Sequence, residues 1–153
     1  MAAAYRASVA WSLREGEDFA AGRYSRGHVL NFEGRELAGT ASAHVVGNKY
    51  AVPGAVDPEQ MLVGSLSACH MLTFLHEARK AGFTVLRYRD DAVGVMDRNA
   101  DGKLAVTKVT LRPQIAWAGD APPRSMRDQL HHRAHEECFI ANSVKTEVVV
   151  EEA

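Results

Sequence analysis

Two cysteines, Cys69 and Cys138, and a run of histidines at His131, His132 and His135 are the side chains whose type and spacing can support chemistry. A thiol reacts as its thiolate, so a reactive cysteine needs a cation nearby. Cys69 lies in Leu66-Ser67-Ala68-Cys69-His70-Met71-Leu72, an apolar setting that by itself raises a thiol pKa and leaves it inert. On a helix, His70 stands about 100° around the axis from Cys69. The cation must therefore come from another segment, which the spacing does not identify. In a reducing compartment two such thiols are more often buried and inert than a redox couple.

His131, His135 and Cys138 share one helical face at i, i+4 and i+7, which makes them a candidate zinc site. Cys69, His70 or water would complete it. The competing reading is a solvated histidine face opposite Met126, Leu130 and Ala134. Asp97-x-Asn99-x-Asp101-Gly102 matches the first half of a calcium-binding EF-hand loop, but Lys108 stands where the bidentate Glu should be. That stretch reads as a polar hairpin turn. Val63-Gly64-Ser65-Leu66-Ser67 lacks the second glycine of a hydrolase nucleophile elbow and falls within a helix. Two cysteines are too few for four-thiolate zinc or a dense disulfide framework.

The elements that must position these residues follow from pattern. Tyr5–Leu13 alternates weakly as a strand, and Val29–Phe32 and Leu37–Ala43 read as two more around a Glu33-Gly34-Arg35 turn. Val45–Val56 reads as loop. A long helix is expected from Asp57 as N-cap and Pro58 at its first position to about Ala81, stopped by Gly82. Between Met61 and Leu75 the only strongly ionisable group besides the Cys69 thiol is His70, so this helix is apolar nearly all round and must be surrounded. Two long strands, Thr84–Met96 and Leu104–Trp117, a second helix over Pro123–Glu137 and a last strand over Lys145–Glu151 complete the order. The class is α+β with largely antiparallel sheet, in one domain spanning residues 1–153.

Composition narrows the function. Of 153 residues, 46% are hydrophobic and 24% charged, too apolar for a disordered chain. Lys plus Arg total 18 against 19 Asp plus Glu, so no basic excess recommends nucleic acid or anionic membrane as a partner. No run of about 18 apolar residues predicts a membrane span. Met1-Ala-Ala-Ala-Tyr-Arg6 has no apolar core of a secretory signal, and the expected home is the cytoplasm.

Asp57-Pro58-Glu59-Gln60-Met61-Leu62-Val63-Gly64-Ser65-Leu66-Ser67-Ala68-Cys69-His70 resembles the central helix of the OsmC/Ohr proteins, named for osmotic induction and organic hydroperoxide resistance. Cys138-Phe139-Ile140-Ala141-Asn142-Ser143-Val144-Lys145 resembles their second cysteine segment, with Phe139 where many members have Pro. Trp11 and Tyr24-Ser25-Arg26-Gly27-His28 fit as well, and the resemblance is nearest to the OsmC-like branch.

The resemblance implies an intertwined homodimer, with antiparallel sheets around the long apolar helix and two active sites at the subunit interface. It implies a thiol-dependent peroxidase for organic hydroperoxides that needs no cofactor and is recharged by a dithiol. Cys69 would be the peroxidatic thiol and Cys138 the resolving one, joined as a disulfide on oxidation. Arg26 would support the thiolate, and Glu59 would pair with that arginine. Met61, Leu62, Leu66, Met71 and Leu72 would supply a pocket for an organic tail, if they are not simply core. On one unbroken helix Glu59 and Cys69 lie about 15 Å apart along the axis. Either the helix is interrupted, or Glu59 serves the partner subunit's site, or an Arg lies between them. A non-catalytic redox sensor or small-molecule binding protein on the same fold is the alternative function, beside the zinc site.

Overall fold

The computed structural model describes residues 2–153, which divide into two compact units, one up to Met61 and one from Leu62. In the first unit, β1 (Ser8–Ala10), β2 (His28–Phe32) and β3 (Arg35–Gly39) form an antiparallel sheet in that order. Phe32 pairs with Arg35 across a two-residue turn, Glu33 at φ 54° and Gly34 at φ 95°. Both central residues are left-handed, the geometry that matches strand twist in a tight hairpin. The expected turn is therefore one residue shorter, and β3 starts and ends earlier than Leu37–Ala43. Past Thr40 the chain forms a short helix, α1 (Ala43–Val46), where a strand end and a loop were expected. Ser42 caps α1, its hydroxyl accepting from the His44 amide at 3.2 Å.

α2 (Pro58–Lys80) starts in the first unit and continues through the second. Asp57 Oδ1 accepts from the Gln60 amide at 2.8 Å, and Gln60 Oε1 accepts from the Asp57 amide at 3.1 Å. This reciprocal pair satisfies two backbone donors at the helix start. At the other end the Phe83 amide reaches Ala78 O and the Gly82 amide reaches Arg79 O, both at 3.0 Å, with Gly82 at φ 87°. That is a Schellman stop, which needs the left-handed glycine.

In the second unit the two expected long strands are each broken once. β4 (Val85–Asp90) pairs with β7 (Pro113–Trp117), while β5 (Val93–Arg98) pairs with β6 (Leu104–Leu111). The break has a local cause: Pro113 lacks an amide for the ladder, and the Arg112 amide donates to Asp90 Oδ1 at 2.6 Å. β8 (Glu147–Val150) then joins β6 in parallel, from Lys108 beside Glu147 to Leu111 beside Val150. The class is α+β. Asn99–Lys103 is the β5–β6 turn, with Asn99 Oδ1 accepting from the Asp101 and Lys103 amides, and Asp97 and Arg98 are already paired in β5.

α3 (Arg124–Glu137) and a 3-10 turn over Ala141–Ser143 complete this unit. Phe74 and Ala78 of α2 pack with Leu130 and Ala134 of α3 in one apolar cluster, and Leu66 packs with Val109 and Leu111 in another. α2 thus buries Leu66, His70, Phe74, Glu77 and Ala78, while Gly64, Ser65, Ala68 and Leu72 stay exposed in this chain. Among the described residues no helix is long and apolar enough to cross a membrane.

Candidate functional site

Cys69 lies in the middle of α2, partly exposed, with its carbonyl accepting from the Thr73 hydroxyl at 2.9 Å. Cys138 is the C-cap of α3 and is 1% exposed. There the helix gives way to extended backbone, and the chain folds back so that the Ala141 amide approaches Cys138 Sγ at 3.4 Å. Burial pushes the Cys138 thiol up from its ordinary value, and the neighbouring Cys69 side chain pushes it further, against the lowering effect of the Ala141 amide. Desolvation favours the neutral thiol, and a second thiol at hand adds to that. The structure therefore brings the two cysteines together, one partly open and one sealed.

Two exposed apolar residues lie close to the cysteines in sequence, Leu72 three residues after Cys69 and Phe139 next to Cys138. Leu72 and Phe139 are 63% and 78% exposed, and both border a cavity of about 610 Å³ with Thr73, His76 and Arg133. Leu62 and Leu66, expected as possible pocket residues, belong instead to the apolar cluster around Val109.

Arg26 and Glu59 lie in the first unit. The Arg26 guanidinium rests over the Tyr24 ring at 3.5 Å, and Nη1 donates to Tyr24 O at 2.5 Å. Its charge also helps lower the Glu17 carboxyl, after the larger effects of the Ser25 and Arg14 amides. Glu59 Oε2 is buried without a hydrogen-bond partner. Among the described residues Arg26 and Glu59 form no ion pair with each other. α2 is continuous from Pro58 to Lys80, which removes the option of an interrupted helix between Glu59 and Cys69.

The histidines of α3 do not form the alternative metal face. His131 is buried, His135 partly buried and His132 exposed beside Glu136. His131 Nδ1 lies 3.0 Å from His70 Nε2, and His131 Nε2 lies 3.3 Å from Glu152 Oε2. Nδ1 is taken by His70, whereas Nε2 is buried beside Glu152 without a hydrogen bond. Among the described residues no group of three or more His, Cys, Asp or Glu side chains is placed to hold a metal. The solvated-face reading also fails for His131, which joins Leu130 and Ala134 on the buried side. Burial pulls His70 down to about 3 and His131 to about 4.

The His70–His131–Glu152 chain is the functional candidate that sequence reasoning missed. A signal existed for its first member, since an imidazole inside an apolar helix needs a buried partner. His131 also shares helical spacing with Ala134 and Cys138. Nothing in the local sequence of Glu152 points to it.

The family profile described as OsmC-like protein matches residues 51–153. The fold is similar to that of an OsmC-like protein of unknown function from Vibrio cholerae, with 44% identity, a TM-score of 0.93, and coverage of 99% of this chain and 100% of that one. An organic hydroperoxide resistance protein OsmC from Legionella pneumophila is 19% identical with a TM-score of 0.65, over 99% of this chain and 97% of that one. An organic hydroperoxide resistance protein from Elizabethkingia anophelis is 14% identical with a TM-score of 0.67, over 99% and 96%. At those two identities the likeness concerns the fold alone. No curated protein matches the sequence.

Proposed function

This chain belongs to the OsmC-like family, and on that premise we propose that it is a thiol-dependent peroxidase, reducing organic hydroperoxides and, less well, hydrogen peroxide. The observation that carries the reading is the meeting of Cys69 with Cys138, the only two cysteines of the chain. Their environments suit different tasks. Cys69, partly open, can meet a substrate, while Cys138 is sealed and held as a thiol until a reactive sulfur forms beside it.

The cycle balances without a metal or organic cofactor. The Cys69 thiolate attacks the distal peroxide oxygen, the O–O bond breaks, and the alkoxide takes a proton to leave as alcohol. Cys69 is now a sulfenic acid. Cys138 attacks that sulfur, an S–S bond forms, the S–O bond breaks, and the Cys138 proton leaves with hydroxide as water. An external dithiol then supplies two electrons by thiol–disulfide exchange and restores both thiols. Leu72 and Phe139 would hold the organic tail at the mouth of the neighbouring cavity.

Arg26 is proposed to support the Cys69 thiolate and Glu59 to orient the arginine. The buried, unpartnered Glu59 Oε2 supports a missing cationic partner. Ten residues of unbroken helix put Glu59 about 15 Å along the axis from Cys69, beyond direct carboxylate reach, which leaves the partner subunit's site or an intervening arginine. We place Glu59 in the partner subunit's site and the protein in a homodimer, a reading that the exposed Val93, Val95 and Met96 of β5 also support. Each protomer would be a single OsmC-like domain working in the cytoplasm.

The test is one equivalent of cumene hydroperoxide added to reduced protein. Non-reducing mass spectrometry should show the loss of two hydrogens, located to a Cys69–Cys138 bridge. Free thiols persisting while peroxide disappears would contradict the reading.

A further inference from the structure

The proposed cycle leaves one buried polar chain without a task. His70 follows Cys69 on α2 and turns inward, 1% exposed. His131 stands seven residues before Cys138 on the same face of α3. Their rings meet at 3.0 Å between Nε2 and Nδ1, and the Phe74 ring stacks on His131 at 4.3 Å. Glu152 Oε1 lies 2.8 Å from Arg127 Nε, one turn earlier on α3, while Glu152 Oε2 faces His131. Arg127 is permanently charged and marks Glu152 as its carboxylate. Of the two facing nitrogens, His70 Nε2 and His131 Nδ1, one donates and the other accepts, while His131 Nε2 and Glu152 Oε2 approach without a hydrogen bond. Both imidazoles are neutral at pH 7, since burial pulls them to about 3 and about 4.

We propose that His70 and His131 are positioning residues for the cysteine pair, fastening α2 to α3 in the register at which Cys138 reaches Cys69. The proposal rests on reading that pair as a redox couple. A disulfide requires Cα atoms within about 7 Å and a defined torsion about the sulfurs. The apolar contacts between these helices, Phe74 and Ala78 against Leu130 and Ala134, are non-directional and tolerate repacking. The hydrogen bond between His70 and His131, which joins the two helices, is directional. Its net contribution to stability is small compared with apolar replacement of both partners, so its effect lies in orientation.

The test uses the intact protein in glutathione buffers without peroxide. Glutathione disulfide takes two electrons from Cys69 and Cys138, leaving the protein disulfide and two molecules of glutathione. In His70→Leu/His131→Leu both partners become apolar, and urea unfolding should match wild type. Its equilibrium constant for forming the Cys69–Cys138 bridge should nevertheless fall at least tenfold, a change of about 30 mV for a two-electron couple. His131→Leu alone should lose as much as the double variant, because the pair acts as a unit. A double variant with the wild-type potential, or one that loses potential only in step with stability, overturns the proposal. A wild type that forms the bridge here yet reduces no hydroperoxide contradicts the peroxidase reading and leaves this one standing.

Discussion

The Cys138 thiol, sealed at the C-cap of α3, has the partly exposed Cys69 of α2 as its neighbour, and that proximity raises its pKa beyond the effect of burial. The pairing is made by two helices rather than by neighbouring strands or a tight loop. Whatever changes the α2–α3 contact therefore changes the chemistry open to the thiols.

Acid should loosen this contact. His70 and His131 titrate near 6.5 in the unfolded chain and at about 3 and about 4 in the fold. The unfolded state then binds more protons below 6.5, so the stability present above that pH is lost as pH falls toward 4. Each imidazole contributes a slope of roughly 1.4 kcal/mol per pH unit in that window. Glu152, whose carboxyl is raised chiefly by burial, works in the opposite direction over its own range. Urea midpoints measured from pH 7 to pH 4 should fall steeply for wild type and less steeply for His70→Leu/His131→Leu. Parallel curves would contradict the assignment of two neutral buried imidazoles.

The start of α2 should depend on Asp57. Asp57→Ala removes the side-chain half of the reciprocal pair, the acceptor for the Gln60 amide, and should cost about 1 kcal/mol of stability. Asp57→Asn should keep most of it. Chemical denaturation checks both, and an unchanged midpoint in the alanine variant would show that the cap is idle.

These caps were legible because they are local: Asp57, Pro58 and Gly82 carry their chemistry within four residues. The Glu33-Gly34 turn was nearly so, misjudged by one residue because a charged Glu33 is an unusual occupant of a left-handed position. Pro113 was a local sign of the break after β6, but the break after β4 carried no such mark. Alternation continues across both, and the corner depends on the Arg112 amide finding Asp90, far away in sequence. His131 was misplaced for a similar reason, since helical spacing groups histidines without saying which face has a buried partner. Cys69 and Cys138 stood out by type and number, but only resemblance to a family joined them in advance.

The dimer can be tested by complementation. Cys69→Ser and Glu59→Ala chains should each be inactive as homodimers. Mixed under subunit exchange, they should recover part of the activity, because some heterodimers hold one intact site. Sedimentation should show a dimer at the assay concentration. An active monomer would defeat this prediction.

The most direct measurement is steady-state consumption of cumene hydroperoxide with a dithiol, comparing wild type, Cys69→Ser and Cys138→Ser, with hydrogen peroxide in parallel. Wild type should turn over repeatedly and favour the organic peroxide. Cys69→Ser should consume none, and Cys138→Ser should consume one equivalent and yield a sulfenic acid that a carbon nucleophile traps. Full and equal activity in both variants would contradict a peroxidase built on this cysteine pair.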